Sequence, residues 1–194
     1  MHNDTSFARL VSLACHDLRT PLATVHGFAR TLTRIATLEA PADRYVEMID
    51  QASSQLAELL DELALAARIE AGRYDPTLRA VDTLELAQTS AEQLGEDRVN
   101  VSGDGESVQV DFEPVQRGVS ALVQATLRHG GLETVDVRVR GREIDVTPVT
   151  ASASSVVTGA DLRDLGAAVA VLLLETLGGG VSVEGETLTV RLPG

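Results

Sequence analysis

The chain has 194 residues, 44% of them hydrophobic, which is material for one ordinary domain or two small ones with a real core. Its 29 Asp and Glu against 16 Lys and Arg give a formal net charge of -13 with no basic cluster, which excludes direct nucleic-acid binding because phosphate contacts dominate that affinity. No apolar run approaches the ~20 residues of a membrane span, "MHNDTSFARL" lacks the order of a signal peptide, and the single cysteine, Cys15, excludes an internal disulfide or a cysteine zinc site. The expectation is a soluble, cytoplasmic protein with no membrane contact.

From Phe7 to about Leu38 apolar residues fall at Val11, Cys15, Leu18, Leu22, Val25, Ala29, Leu32 and Ala36, alternating steps of four and three. This is a heptad seam on a helix, with Cys15 a small buried filler. After "LEAPAD", where Pro41 can open a second helix, a run through Tyr45, Ile49, Ala52, Leu56, Leu59, Leu63 and Ala66 stops at Gly72. Two helices of ~30 residues span ~45 Å each, and a lone antiparallel pair buries only one side of each helix. The seam asks for a second pair, and a homodimeric four-helix bundle supplies it; the alternative is packing on the remainder of the same chain.

"RYDPTLRAV" reads as a linker, so the expected organisation is 1–72 helical hairpin, 73–80 linker and 81–194 a mixed domain. In that domain "DTLELAQTSAEQLG" is helical with Asp82 as N-cap, "RVNVSG" and "SVQVDF" alternate as strands, and "EPVQRGVSALVQATLRHGG" is a helix closed by glycines. "TVDVRVRG" and "EIDVTPV" make a hairpin, "DLRDLGAAVAVLLLETLGGG" a buried helix, and "VSVEGETLTVRLP" a hairpin turning between Glu184 and Thr187. Helices with mostly antiparallel strands in this order indicate a two-layer α/β sandwich. The fold class is thus α plus α/β.

Within the first helix stands "HDLRTPL", beginning at His16. His16 lies between the seam positions Cys15 and Leu18, so its ring belongs on the flank of the bundle, facing solvent. An exposed neutral imidazole can take a phosphoryl group on one nitrogen if the other is oriented. Adjacent Asp17 can hold the ring or accept a proton, and Thr20, four residues on, shares the face of His16. Pro21 cannot donate to the Asp17 carbonyl, so a bend is expected just after the histidine. His2, His26 and His129 have no ligand-like spacing and read as surface or cap residues. Gly130, Gly131 and the glycines 178–180 read as helix ends and turns.

All seven residues of "HDLRTPL" match the H-box of sensor histidine kinases, on the kind of helix and in the kind of hairpin where that family carries it. The resemblance implies that His16 is the phospho-acceptor and Asp17 its acid/base partner. It further implies that Thr20 assists dephosphorylation of a response regulator, with Arg19, Pro21 and Leu22 at the receiver docking surface. The second region is similar in order to the catalytic and ATP-binding domain of these kinases, and "LGGGVSVEGETLTVRLP" resembles its last helix and closing hairpin.

The nucleotide motifs are not retained. Where the family places the metal-binding Asn, the run is Ala125, Thr126, Leu127, Arg128 and His129. Where it places Asp-x-Gly-x-Gly, the chain reads "IDVTPVTAS", with Asp145 one strand position off. The glycine-rich phosphate loop is reduced to "LRDLGA", keeping Leu165 and Gly166 but setting Asp164 where an anion should sit, and the lid is shortened to "SASSVVTG".

The resemblance and its departures together imply a histidine phosphotransferase that relays a phosphoryl group between receiver aspartates through His16 without binding ATP. It would need no cofactor of its own, the receiver supplying Mg²⁺. Its expected partners are response-regulator receiver domains, a sensor or hybrid histidine kinase, and a second copy of itself. Rival readings are a response-regulator phosphatase using Asp17 and Thr20, a non-catalytic receiver-binding adaptor, and an ATP-dependent kinase with a divergent pocket.

Overall fold

A computed structural model describes residues 4–35, 42–95 and 97–194, and the chain divides into two compact units, the second beginning at Asp75. His2, Ala36, Leu38 and Pro41 lie outside the described residues. The first unit is a pair of helices, α1 (Asp4–Ile35) and α2 (Ala42–Glu70). Arg19 contacts Asp61 while His26 contacts Asp50, so the two run antiparallel. α1 stays helical through Pro21. α2 ends where Gly72 takes φ 61°, its N–H donating to the Ile69 carbonyl while Arg73 N–H donates to that of Arg68.

The heptad seam divides into two ladders. On α1, Ala8, Cys15 and Ala29 are buried and Leu22 is half-buried, whereas Leu18, Val25 and Leu32 are exposed. Positions seven apart share a face, so one ladder meets α2 and the other does not. On α2 the residues turned to α1 include Asp50, Ser53 and Asp61. The expected seam of Tyr45, Ile49, Leu56, Leu59 and Leu63 is exposed. It is therefore not the line on which the hairpin closes. Each helix carries a second, unpartnered apolar stripe.

In the second unit Asp82 caps α3 (Thr83–Glu92) as expected, its carboxylate accepting from Leu84 N–H at 2.8 Å and Glu85 N–H at 3.2 Å. The segment read as linker is instead a strand at its C-terminal end. β1 (Leu78–Asp82) pairs antiparallel with β3 (Ser107–Asp111), a partner too distant in sequence for local pattern to announce.

The main sheet has the order β2-β4-β5-β7-β6, built from β2 (Val99–Gly105), β4 (Val135–Gly141), β5 (Glu143–Thr147), β6 (Gly180–Glu184) and β7 (Thr187–Arg191). β2 runs parallel to β4; the other pairs are antiparallel, and Glu184 faces Thr187 across the final turn.

Val135, Val137 and Val139 are buried while Asp136, Arg138 and Arg140 are exposed, so one sheet face is covered and the other is wet. α4 (Phe112–Gly130) and α6 (Leu165–Thr176) lie side by side in the helical layer; a Cβ at Gly118 would stand 3.3 Å from the Ala170 Cβ. The core of this unit holds Leu86, Leu122, Ile144 and Leu188, all fully buried. The shortened lid is a seven-residue helix, α5 (Ala151–Val157). Among the described residues no helix is long and apolar enough to cross a membrane.

Candidate functional site

His16 stands on the solvent side of α1, its side chain 77% exposed. Val25 follows nine residues later, half a turn out of phase, so the histidine and the free apolar stripe occupy opposite sides of the helix. The imidazole Nδ1 lies 3.2 Å from Asp17 Oδ1, itself exposed. With the proton on Nδ1 donated to Asp17, Nε2 keeps its lone pair. His16, Arg19, Thr20, Ala23 and Thr24 line one shallow open depression. The structure thus brings His16, Asp17 and Thr20 together on one face.

The residues expected at the docking surface divide differently. Arg19 donates from Nη2 to Asp61 Oδ1 at 2.7 Å, which ties it to the other helix. Pro21 is exposed, and Leu22 is half-buried on the ladder with Cys15 and Ala29, away from the face of the histidine.

Two further histidines are more engaged than a surface reading allows. His26 is half-buried with Nδ1 3.2 Å from Asp50 Oδ1, close but without hydrogen-bond geometry. His129 closes α4 and is part-buried, its Nε2 3.0 Å from Asp164 Oδ2. Sequence reasoning missed both carboxylate partners because each comes from another helix, and nothing in local spacing marks them. Among the described residues no group of three or more His, Cys, Asp or Glu could hold a metal ion.

In the second unit, Ala125 is buried at 1% exposure on α4. Asp145 is buried in β5, ion-paired to Arg140 and accepting from Thr189 Oγ1 at 2.7 Å. Asp164 caps α6 by accepting from Ala167 N–H at 3.1 Å, and its other oxygen meets Arg128 Nη1 at 3.2 Å as well as His129.

Residues 8–72 match the model of the His Kinase A (phospho-acceptor) domain, a span that includes His16. The sensor histidine kinase MtrB of Mycolicibacterium paratuberculosis is 28% identical over 151 residues, covering 73% of this chain and 26% of the relative. Residues 8–72 are thus of the His Kinase A (phospho-acceptor) type, and the chain as a whole is similar to histidine kinases.

The sensor protein DivL of Caulobacter vibrioides is similar to this chain at 26% identity over 206 residues, covering 92% of it and 27% of DivL. The chain thus spans about a quarter of the length of these relatives. Full-length ShkA, solved in complex with AMPPNP, superposes with a TM-score of 0.67 at 19% identity, covering 94% of this chain and 44% of that one. That likeness concerns the fold: a helical hairpin of the phospho-acceptor type followed by an α/β domain resembling the kinase ATP-binding domain.

Proposed function

We propose that this chain is a histidine phosphotransferase, with His16 receiving a phosphoryl group from the aspartate of one receiver domain and passing it to another. The observation that carries the reading is the exposed imidazole whose Nδ1 is held at 3.2 Å from Asp17. Nε2 attacks the phosphorus of the receiver's aspartyl phosphate; a P–N bond forms, the P–O bond breaks, and the carboxylate leaves as an anion. Asp17 balances the positive charge this leaves on the ring. The reverse sequence discharges the group to a second receiver. The receiver brings Mg²⁺ and neutralises the phosphoryl charge, so this chain needs only an oriented nucleophile and a docking face.

Two copies would associate through the free stripes. Leu18, Val25 and Leu32 on α1, with Ile49, Leu56 and Leu59 on α2, are exposed apolar side chains of an isolated hairpin, more than single surface residues account for. Burying them in a four-helix bundle leaves both His16 rings on the outside.

Transfer would proceed without ATP. Supporting this are the buried methyl of Ala125, the Asp145 carboxylate already engaged by Arg140 and Thr189, and a second carboxylate, Asp164, at the start of α6. These groups do not fit a nucleotide with its metal. A second reading, a response-regulator phosphatase, is favoured by Thr20, which lines the same depression as His16 and could orient a water.

The test is transfer of labelled phosphate from phosphorylated receiver domains to the wild type and to His16→Gln, with a parallel incubation in Mg·ATP. Acid-labile label on wild type alone, from receivers alone, is the expected result. Faster loss from a receiver without label on His16 would favour the phosphatase. Binding to receivers with neither outcome would leave an adaptor, and label from ATP would make the chain a kinase like its named relatives.

A further inference from the structure

We infer that Arg19 clamps the phosphoryl group on His16 and that Asp61 competes for it, so this ion pair between α1 and α2 tunes how much phosphoryl group His16 holds. The inference rests on the reading of this chain as a phosphotransferase and deepens it. Once a receiver and its Mg²⁺ have left, the group on Nε2 needs a cation from this chain. Of the residues lining the depression, His16, Arg19, Thr20, Ala23 and Thr24, only Arg19 is a permanent cation. Thr24 already donates its hydroxyl to the Thr20 carbonyl at 3.1 Å. On an α-helix, residues one and three places on are turned by about 100° one way and about 60° the other, so Asp17 and Arg19 flank the imidazole from opposite sides. Asp17 meets Nδ1 at 3.2 Å, which leaves Nε2 to the depression that Arg19 lines.

In the unphosphorylated protein the guanidinium is parked on α2, Nη2 donating to Asp61 Oδ1 at 2.7 Å. The two side chains are 51% and 44% exposed, so water screens the pair and it is held weakly. A phosphoryl group on Nε2 adds roughly two negative charges and three acceptor oxygens one turn away. Against a single carboxylate, that is the richer acceptor for a fork of N–H donors. Arg19 therefore leaves Asp61 for the phosphoryl oxygens when His16 is phosphorylated and returns when the group is passed on. It gives and takes no proton, and the bonds made and broken remain those of the transfer itself.

The experiment takes the full chain with one phosphorylated receiver, both too dilute to form a complex, and reads the equilibrium constant of transfer from the label on each protein. That constant compares free species, so docking affinity does not enter it. Arg19→Gln should lower the ratio of phospho-His16 to phospho-receiver about fivefold, and Asp61→Asn, which releases the clamp, should raise it about threefold. In the Arg19→Gln background Asp61→Asn should change nothing more. Arg19→Lys, which keeps a point charge, should fall less than Arg19→Gln. Loss of structure does not give opposite signs for the two partners of one ion pair, and circular dichroism checks that each variant keeps its helices. An Arg19→Gln ratio equal to wild type would overturn the inference and make Arg19 a docking residue. So would an Asp61→Asn ratio that is unchanged or lowered, or Arg19→Lys falling as far as Arg19→Gln. The failures are distinguishable: wild type that takes no label from any receiver sinks the functional reading and the clamp with it, whereas wild type that is labelled but indifferent to Asp61→Asn sinks the clamp alone.

Discussion

Arg19 and Asp61 join the two helices of the hairpin, Nη2 to Oδ1 at 2.7 Å, one turn from the exposed His16. The pair is about half exposed, 51% and 44%, so screening by solvent keeps its coupling low. A double-mutant cycle with Arg19→Ala and Asp61→Ala should give about 0.2–1 kcal/mol, shrinking as salt is raised. Coupling beyond that range, or insensitive to salt, would mean the pair is desolvated in the assembled protein.

In the proposed transfer Asp17 acts on the ring of His16, whose Nδ1 lies 3.2 Å from its Oδ1, and not on the phosphorus. Asp17→Asn keeps an acceptor near Nδ1 but removes the charge that balances the phosphorylated ring. Single-turnover transfer from a receiver should slow by about 10²-fold while the melting temperature stays level. An unchanged rate would dismiss Asp17 from the chemistry.

The two ladders of α1 make opposite predictions. Val25→Asp together with Ile49→Asp places charges on the free stripes and should yield monomers by sedimentation equilibrium with the helical circular dichroism signal largely kept. Cys15→Leu adds volume between α1 and α2, where Cys15 is 1% exposed, and should cost about 1–3 kcal/mol. If the aspartates leave the association state untouched, the stripes serve another partner.

Helices α4 and α6 approach closely at Gly118. A Cβ there would meet the Ala170 Cβ at 3.3 Å, so Gly118→Val must push the helices apart. Chemical denaturation should register a loss of about 1–3 kcal/mol, partly offset for Gly118→Ala by its better helix propensity. Asp82→Ala, which removes the cap of α3, should cost about 1 kcal/mol by the same measurement.

The hairpin and the histidine stretch were legible because a 3.5-residue apolar repeat and seven consecutive motif residues are local signals. The inner face of α2 was not. It presents Asp50, Ser53 and Asp61 to α1, so hydrophobic periodicity located the outward stripe of Ile49, Leu56 and Leu63, which is more apolar than the true contact line. In the second unit the caps at Asp82 and the turn at Glu184 to Thr187 followed from residue chemistry. β1 did not, since Leu78–Asp82 becomes a strand only by finding β3. The engagement of Asp145 and Asp164 likewise depends on Arg140, Arg128 and His129 arriving from other elements.

The parallel ladder between β2 and β4 also governs when the second unit can form. Asn100 and Asp136, opposite one another in that ladder and joined by a side-chain hydrogen bond, are 36 residues apart, with β3 and α4 between them. β2 lies at the end of the sheet order and has no other neighbour in it. During synthesis β2 must wait for β4 to emerge, while α1 and α2 need only each other across a short connection. The loop that β2 closes carries a high entropic cost before its contacts are repaid, so the sheet should assemble more slowly than the hairpin. Any fragment that ends before Val135 leaves β2 an unpaired edge exposed to aggregation.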